Sequence, residues 1–273
     1  MNNYFTSEYN FPFPFQWSDF PQFNSNKSLD TAYKICQWLS NKHYENFPVA
    51  SFVIPRKIRK HFYSIYAIAR YADDIADEKL YINISERITA LDNLEYYIDN
   101  IHYEQIEDYP ILIALRNTIN EMQLPTEPFA KLLTAFQRDL VFQQPDTFKD
   151  LLTYCEYSAN PIGELILRLF NEYNDETAYY SDKITTALQL INLWQDLSVD
   201  LHNHRCYLPA ELFNEYARAL EENIYSELEG EEQRAFASYI KTGMRQMFNE
   251  LFQETEKMLS EGKNLVNLIK NKR

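Results

Sequence analysis

Glycine is almost absent, with four residues in a chain of 273. Gly-rich linkers are thereby excluded, and one compact helical domain over residues 1–273 is the expected organisation. Cysteine is scarce as well. Cys36, Cys155 and Cys206 are odd in number and far apart, and no Cys-x-x-Cys pair exists. That usage points to reduced thiols in the cytoplasm and away from a disulfide framework. Long hydrophobic runs are missing too: no uninterrupted apolar stretch approaches the ~18–20 residues of a spanning helix. The N-terminus has no basic region followed by an apolar run, so no signal peptide is expected. Positive charge is also short. There are 26 Lys and Arg against 40 Asp and Glu, for a net charge of −14 and a pI near 4.8. This excludes nucleic acid as a partner, since phosphate backbones need clustered cations. It argues equally against strong attraction to anionic lipid. The expected protein is soluble, or at most sits on the inner face of a membrane.

What the chain has in quantity is apolar surface. It is 45% hydrophobic and 15% aromatic, enough for a sizeable core. Residues 1–27 form a Pro- and aromatic-rich arm, as in Phe11-Pro12-Phe13-Pro14-Phe15-Gln16-Trp17, which Pro bars from a regular helix. Two readings apply to it: rings packed on the body, or a lipid-surface or cavity-mouth contact. A helix is predicted from Leu29 to about Asn41, with Ser28 as N-cap. The basic run Arg56-Lys57-Ile58-Arg59-Lys60-His61 reads as the solvated first turn of a long central helix, with substrate contact as the second reading. Amphipathic helices are predicted at about 84–101, 108–123 and 126–143. Another starts near Phe148 and is kinked by Pro161, and a long one runs from about Asp175 to Leu201. Weaker helical patterns continue to the C-terminus. No strand alternation, hairpin dipeptide or fixed repeat occurs, so the fold class is all-α.

Two acidic constellations stand out. In Tyr66-Ala67-Ile68-Ala69-Arg70-Tyr71-Ala72-Asp73-Asp74-Ile75-Ala76-Asp77-Glu78, Asp73 and Asp77 are four apart and share a helix face. Like charges at that spacing repel unless a cation intervenes, and the Ala, Ile and Tyr around them suit a buried helix. In the second, Asn192, Asp196 and Asp200 fall at i, i+4 and i+8, a line about 12 Å long on an α-helix. A solvated face would carry Lys or Glu beside them. Two ladders of hard oxygen ligands among apolar residues make a two-sided metal site if they face each other across a bundle. His and Cys do not cluster as zinc or iron requires, and His202 and His204 lie in a polar loop. Sparse oxygen ligands without a continuous calcium loop suit Mg²⁺, which keeps waters and is completed by substrate phosphates. The chemistry implied is a metal-bound diphosphate in an aromatic cavity.

Between about His43 and Pro209 the chain resembles the squalene/phytoene synthase family, all-α isoprenoid synthases built as a helical bundle around a central cavity. The family's first Asp-x-x-x-Asp motif falls on Asp73 and Asp77, and its upstream Tyr and Arg fall on Tyr66 and Arg70. The second falls on Asn192, Asp196 and Asp200, with Gln189 one turn before it. Arg205-Cys206-Tyr207-Leu208-Pro209 matches the closing Arg-x-Tyr-x-Pro pattern. The resemblance implies catalytic roles for Asp73, Asp77, Asp196, Tyr66 and Arg70. It implies metal ligation by Asp73, Asp77, Asn192, Asp196 and Asp200. It implies substrate contacts at His43, Tyr44, Asn46, Phe47, Tyr66, Arg70, Gln189, Gln195, Arg205 and Tyr207.

Within the family, residues 43–51 and 193–200 look like a bacterial branch serving hopanoid-type squalene synthesis. That branch converts presqualene diphosphate and water to hydroxysqualene and diphosphate, after a sister enzyme of the squalene pathway that builds presqualene diphosphate and before a flavoenzyme that reduces hydroxysqualene. Some farnesyl-condensing members carry a basic residue at the position of Glu45 and Arg at that of Gln195. Losing two cations suits a site that handles one diphosphate. The family usually ends in a further apolar helix, whereas here the chain stops at Lys270-Asn271-Lys272-Arg273, a short last helix or a truncation.

The expected mechanism has Mg²⁺ holding the diphosphate as leaving group. Arg70 and Arg205 bond phosphate oxygens. Rings such as Phe47 and Tyr66 stabilise the cation that forms. Core packing is still the role of most aromatics, since 18 Phe, 21 Tyr and 3 Trp cannot all line one cavity. Asp74 and Glu78 fall off the ligand face. The alternatives are a presqualene diphosphate, squalene or phytoene synthase, and, of another class, an inactive relative serving as a lipid-binding or partner subunit.

Overall fold

The structure is a computed structural model and describes residues 16–23, 27–42, 54–76, 83–212 and 230–270. Among these residues there are helices and no strands, so the all-α expectation holds. The chain divides into two compact units, residues 1–140 and 141–273.

The first unit is built on α2. After α1 (Leu29–Lys42), the chain enters α2 (Arg56–Ala76) at Pro55, whose carbonyl accepts from the amides of Ile58 and Arg59. Phe62, Tyr63, Ile65, Ala67, Ile68, Tyr71, Ala72, Ile75 and Ala76 are all buried, so α2 is apolar over most of its circumference. A helix of that kind must be covered on several sides. It touches α1, α3 (Ile84–Asp99), α4 (Pro110–Met122) and α5 (Glu127–Leu140). The Ser28 cap forms as predicted, its hydroxyl taking the Thr31 amide. The packing reading of the N-terminal arm holds at Trp17 and Phe20, both buried. Trp17 bonds the carbonyls of Glu107 and Asp108, and Phe20 meets the Trp38 ring edge-on.

A buried polar staple ties α1, α2 and α4. His61 is 2% exposed. Its Nε2 lies 3.1 Å from Glu121 Oε2, and its Nδ1 lies 3.1 Å from the Thr118 hydroxyl. Tyr33 on α1 donates to Asn117 and also meets Thr118. Burial pushes the Tyr33 phenol up to about 12 and the Cys36 thiol up as well.

The second unit is organised on α8 (Asp175–Gln195), which touches α6 (Phe148–Ser158), α7 (Asn160–Leu169), α9 (Leu197–His202), α10 (Gly230–Gly262) and α11 (Leu265–Leu268). Asn174 caps α8 by accepting the Glu176 and Thr177 amides, and Thr147 caps α6 reciprocally with Asp150. The predicted helix from Phe148 ends at Ala159, and Pro161 falls in the first turn of the next, where its missing N–H costs nothing. Leu151, Cys155, Leu190, Leu193, Trp194, Tyr207, Leu208, Met247 and Leu251 form one apolar cluster. The end of α10 approaches α8 closely enough that a Cβ on Gly262 would stand 2.6 Å from Ile184 Cγ1. Beyond α11, the Lys270 amide bonds the buried Glu172 carboxylate, so this segment is tied to the α7–α8 loop.

Candidate active site

In the first unit the acidic residues lie at the end of α2. Arg70 stands three residues before Asp73 and four before Asp74, so its fork reaches both. Its Nη1 lies 3.0 Å from Asp73 Oδ2, and its Nη2 pairs with Asp74 Oδ1. The Asp74 side chain is 8% exposed and the Asp73 side chain 35%. Asp74 therefore anchors the guanidinium from inside, and Asp73 stands at the rim. The face argument set Asp74 aside as off the ligand face; the structure shows it to be Arg70's buried partner. Arg-to-Asp spacing of four was the sequence signal for it. Tyr66, one turn before Arg70, is half-buried. Burial raises its phenol pKa, Arg70 opposes that, and Asp73 and Asp74 add to it. Asp77 and the segment bearing His43, Tyr44, Asn46 and Phe47 lie outside the described residues.

In the second unit the polar line does not run along one helix. α8 stops at Gln195, and Asp196, with φ −90° and ψ 4°, joins it to the short α9. The expected straight helix to Leu201 is corrected here. Ser198, Val199 and Asp200 are weak helix formers, and ψ near zero takes Asp196 off the α-helical value. The register survives the bend. The Asp196 amide bonds the Asn192 carbonyl, and the Asp200 amide bonds the Asp196 carbonyl, both at 2.9 Å. Asn192 and Asp196 are exposed, as is Gln195; Gln189 is half-buried. Asp200 is buried, with its Oδ1 3.6 Å from Arg205 Nε. The idea of a uniformly buried ladder is thus corrected. Among the described residues of the two motifs, Asp74 and Asp200 are each buried against an Arg, whereas Asp73 is part-exposed and Asn192 and Asp196 are exposed.

Arg205 leads into the matched Arg-x-Tyr-x-Pro stretch. Tyr207 is buried, edge-on to Phe142 at 5.0 Å and tilted on Tyr154 at 5.2 Å. Gln144 holds the same stretch by donating to the Leu208 carbonyl. Tyr154 is a ring the sequence reading passed over, and only the fold sets it beside Tyr207. His202 and His204 are exposed, as expected, although His202 closes α9 instead of lying in a loop. Among the described residues, no three of His, Cys, Asp and Glu converge on a metal-sized site. The first unit presents Asp73 and Asp74 beside Arg70, and the second presents Asp200 beside Arg205 with Asp196 and Asn192 one and two turns earlier, hard oxygen donors of the kind that suit a divalent cation carrying phosphate.

An all-helical bundle with two such acid-and-Arg elements is the architecture of an isoprenoid synthase, and known proteins agree. The structure of a squalene synthase, HpnC, from Alicyclobacillus acidocaldarius superposes with a TM-score of 0.74 at 34% identity, over 88% of this chain and 85% of that one. A dehydrosqualene synthase solved with a ligand shares the fold, with a TM-score of 0.73 at 24% identity over 89% of this chain and 80% of that one. The squalene/phytoene synthase family model matches residues 40–273. The chain belongs to the squalene/phytoene synthase family. Among curated relatives, the phytoene synthase of Mycobacterium tuberculosis is 30% identical over 183 residues, 67% of this chain and 59% of the relative. The hydroxysqualene synthase of Sinorhizobium fredii is 31% identical over 179 residues, 65% of this chain and 59% of the relative. The chain thus spans about three-fifths of the length of the curated relatives it matches. Among the described residues, no helix is long and apolar enough to cross a membrane.

Proposed function

We propose that this chain is a Mg²⁺-dependent enzyme that converts presqualene diphosphate and water to hydroxysqualene and diphosphate, a step of squalene and hopanoid biosynthesis. The observation that carries the reading is the Arg70 fork held by Asp73 and the buried Asp74 at the end of an apolar helix. An ion pair so placed is costly to desolvate, and anion recognition gives a reason to keep it. The donor set fits the metal. Asp73 and Asp77 on one ladder, and Asn192, Asp196 and Asp200 on the other, would hold Mg²⁺. The metal, when bound, supplies Lewis-acid stabilisation of the departing diphosphate.

The chain's own residues do the rest. A guanidinium carries five N–H donors and can serve a carboxylate and a phosphate together. Arg70 and Arg205 take that role in this reading. Gln189, Gln195 and Tyr207, with His43, Tyr44 and Asn46, contact substrate. The C–O bond to diphosphate breaks and the electron pair leaves with it. The cyclopropylcarbinyl cation left behind rearranges, held against aromatic faces such as Phe47 and Tyr66. Water adds to the cation, and its proton goes to the departed diphosphate. Both units together form the one catalytic domain of this reading. In this reading the protein works in the cytoplasm with sister enzymes of the pathway, at most in peripheral contact with the inner face of the membrane.

The choice of presqualene diphosphate draws on Glu45 and Gln195, and on the likeness to the hydroxysqualene synthase. A second reading, condensation of two prenyl diphosphates, is favoured by the matches named phytoene synthase. Product analysis separates the two. Purified protein with presqualene diphosphate and Mg²⁺ should yield hydroxysqualene. Consumption of farnesyl or geranylgeranyl diphosphate with presqualene diphosphate untouched overturns the proposal. No diphosphate release from any of them points to an inactive partner subunit.

A further inference from the structure

α7 and α8 meet at a polar seat. The side-chain carbonyl of Asn160 accepts hydrogen bonds from the Thr185 and Thr186 hydroxyls, each at 2.9 Å. Consecutive residues stand about 100° apart around a helix. Two donors on different azimuths therefore converge on one acceptor, and turning α8 either way breaks a bond. Three residues further along α7, Gly163 sets how closely the helices approach. A Cβ there would lie 2.5 Å from Ser181 Oγ and 3.0 Å from Thr185 Cγ2. Ser181, Thr185, Gln189, Asn192 and Asp196 follow at steps of four, four, three and four, which is one stripe of an α-helix. The seat grips one end of this stripe, and the other end carries Asn192 and Asp196.

We propose that Asn160 is a positioning residue that sets the rotation of α8, and through it the affinity of the Asn192–Asp196 end for Mg²⁺ and diphosphate. The proposal rests on the functional reading above. The lever is geometric. Side-chain atoms ride about 5–6 Å from a helix axis, so a rotation of about 10° moves a ligand oxygen by about 1 Å. Productive geometry tolerates about 0.5 Å, and an error of about 1 Å can cost ~100-fold. Thr185 has a substitute acceptor in the Ser181 carbonyl at 3.2 Å. Thr186 is buried and turns to Asn160, so losing the amide leaves its hydroxyl unsatisfied.

The test is calorimetric titration of Mg²⁺ into the purified full chain with inorganic diphosphate present, alongside thermal unfolding. Wild type should bind. If it does not, the functional reading falls and takes this proposal with it. Asn160→Ala should weaken Mg²⁺ about 10-fold, with the unfolding midpoint changed by only a few degrees. Diphosphate release should then need more Mg²⁺ to reach half its maximal rate. If Asn160→Ala does not fold, Thr186→Val and Thr186→Ser replace it. The first keeps the shape without the hydroxyl and should weaken Mg²⁺ alike; the second keeps the hydroxyl and should match wild type. Wild-type affinity in Asn160→Ala or Thr186→Val overturns the proposal alone, as does a Thr186→Ser as weak as Thr186→Val.

Discussion

The two units carry their acidic residues in opposite ways. On α2 the cation belongs to the same helix as the carboxylates. Arg70 meets Asp73 and Asp74 at spacings of three and four, so the cluster forms as soon as the helix does. On α8 and α9 the cation arrives from a loop. Arg205 lies 3.6 Å from Asp200 across the turn after α9, where its amide bonds the Asp200 carbonyl at 2.8 Å, and Gln144 and the rings beside Tyr207 hold the segment that follows. The glue differs too. The first unit joins three helices through His61, Thr118 and Tyr33, whereas the second relies on an apolar cluster and close helix approaches at Gly163 and Gly262. A locally encoded half resists distant change. A half assembled from loops and neighbouring helices depends on each of them.

The largest effects should be on turnover. Asp73→Ala and Asp196→Ala are each expected to lower diphosphate release by about 10²–10³-fold, the scale of losing one charge-stabilising group. Full activity in either variant breaks the assignment of its ladder. The Arg partners sharpen the comparison through stability. Asp74→Asn leaves the largely buried Arg70 with one carboxylate, at about 3 kcal/mol. Asp200→Asn should cost nearer about 1 kcal/mol, because its pair is longer. Urea unfolding of both variants measures the difference. Equal losses would show that the two Arg pairs are built alike.

Gly262 and Gly163 test the close approaches of the second unit. At Gly262 a Cβ meets Ile184 Cγ1 at 2.6 Å, the Tyr180 carbonyl oxygen at 3.2 Å and the Ile184 nitrogen at 3.3 Å. Backbone cannot step aside, so Gly262→Ala should destabilise by about 1–3 kcal/mol. At Gly163 the nearest atom is Ser181 Oγ, which can rotate, and Ala gains up to about 1 kcal/mol of helix propensity. Gly163→Ala should therefore cost less in thermal unfolding than Gly262→Ala. The reverse order would place the tighter contact at the α7–α8 seat.

Much of this was readable in the residues. Scarce Gly and absent strand alternation led to an all-α fold. Ser28, Pro55 and Pro110 mark helix starts for local reasons, whereas Pro161, read as a kink, lies in the first turn of a separate helix. The Ala, Ile and Tyr around Asp73 and Asp74 declared a buried helix. What escaped the reading was tertiary. The line Asn192, Asp196, Asp200 looked straight because Leu193, Trp194 and Leu197 keep a helical pattern, and that pattern outweighed weak propensities at 198–200. The pairing of Arg205 with Asp200 needs the turn that closes α9, and that of Tyr154 with Tyr207 needs a loop to fold back; spacing alone reveals neither. Asp74 was different. Its i, i+4 relation to Arg70 is in plain view in the residues, although it falls off the face that Asp73 and Asp77 share.

The smallest expected effect is a difference in acid sensitivity between the units. His61 faces Tyr33 from α1, Lys60 on its own helix, and Thr118 and Glu121 from α4, while Cys36 and Asn117 stand beside Tyr33. Burial lowers its pKa, Lys60 lowers it further, and Glu121 opposes both. In the neutral ring Nε2–H donates to Glu121, and Nδ1 accepts from a hydroxyl. A His with a depressed folded pKa takes its proton in the unfolded chain first. Below the unfolded value of about 6.5, the unfolded state therefore binds more protons, and stability falls with pH. Glu121 is held low by the Lys60 hydrogen bond, so its contribution is present above its unfolded pKa of about 4.3 and is lost below it. Both act in the same direction, the first from pH ~6.5 downward and the second from ~4.3. His61→Gln removes the first step only. The unfolding midpoint of wild type should drop by a few degrees between pH 7.5 and 5.5, and that of the variant by less. Parallel slopes for the two would mean that the staple holds His61 without feeling its charge.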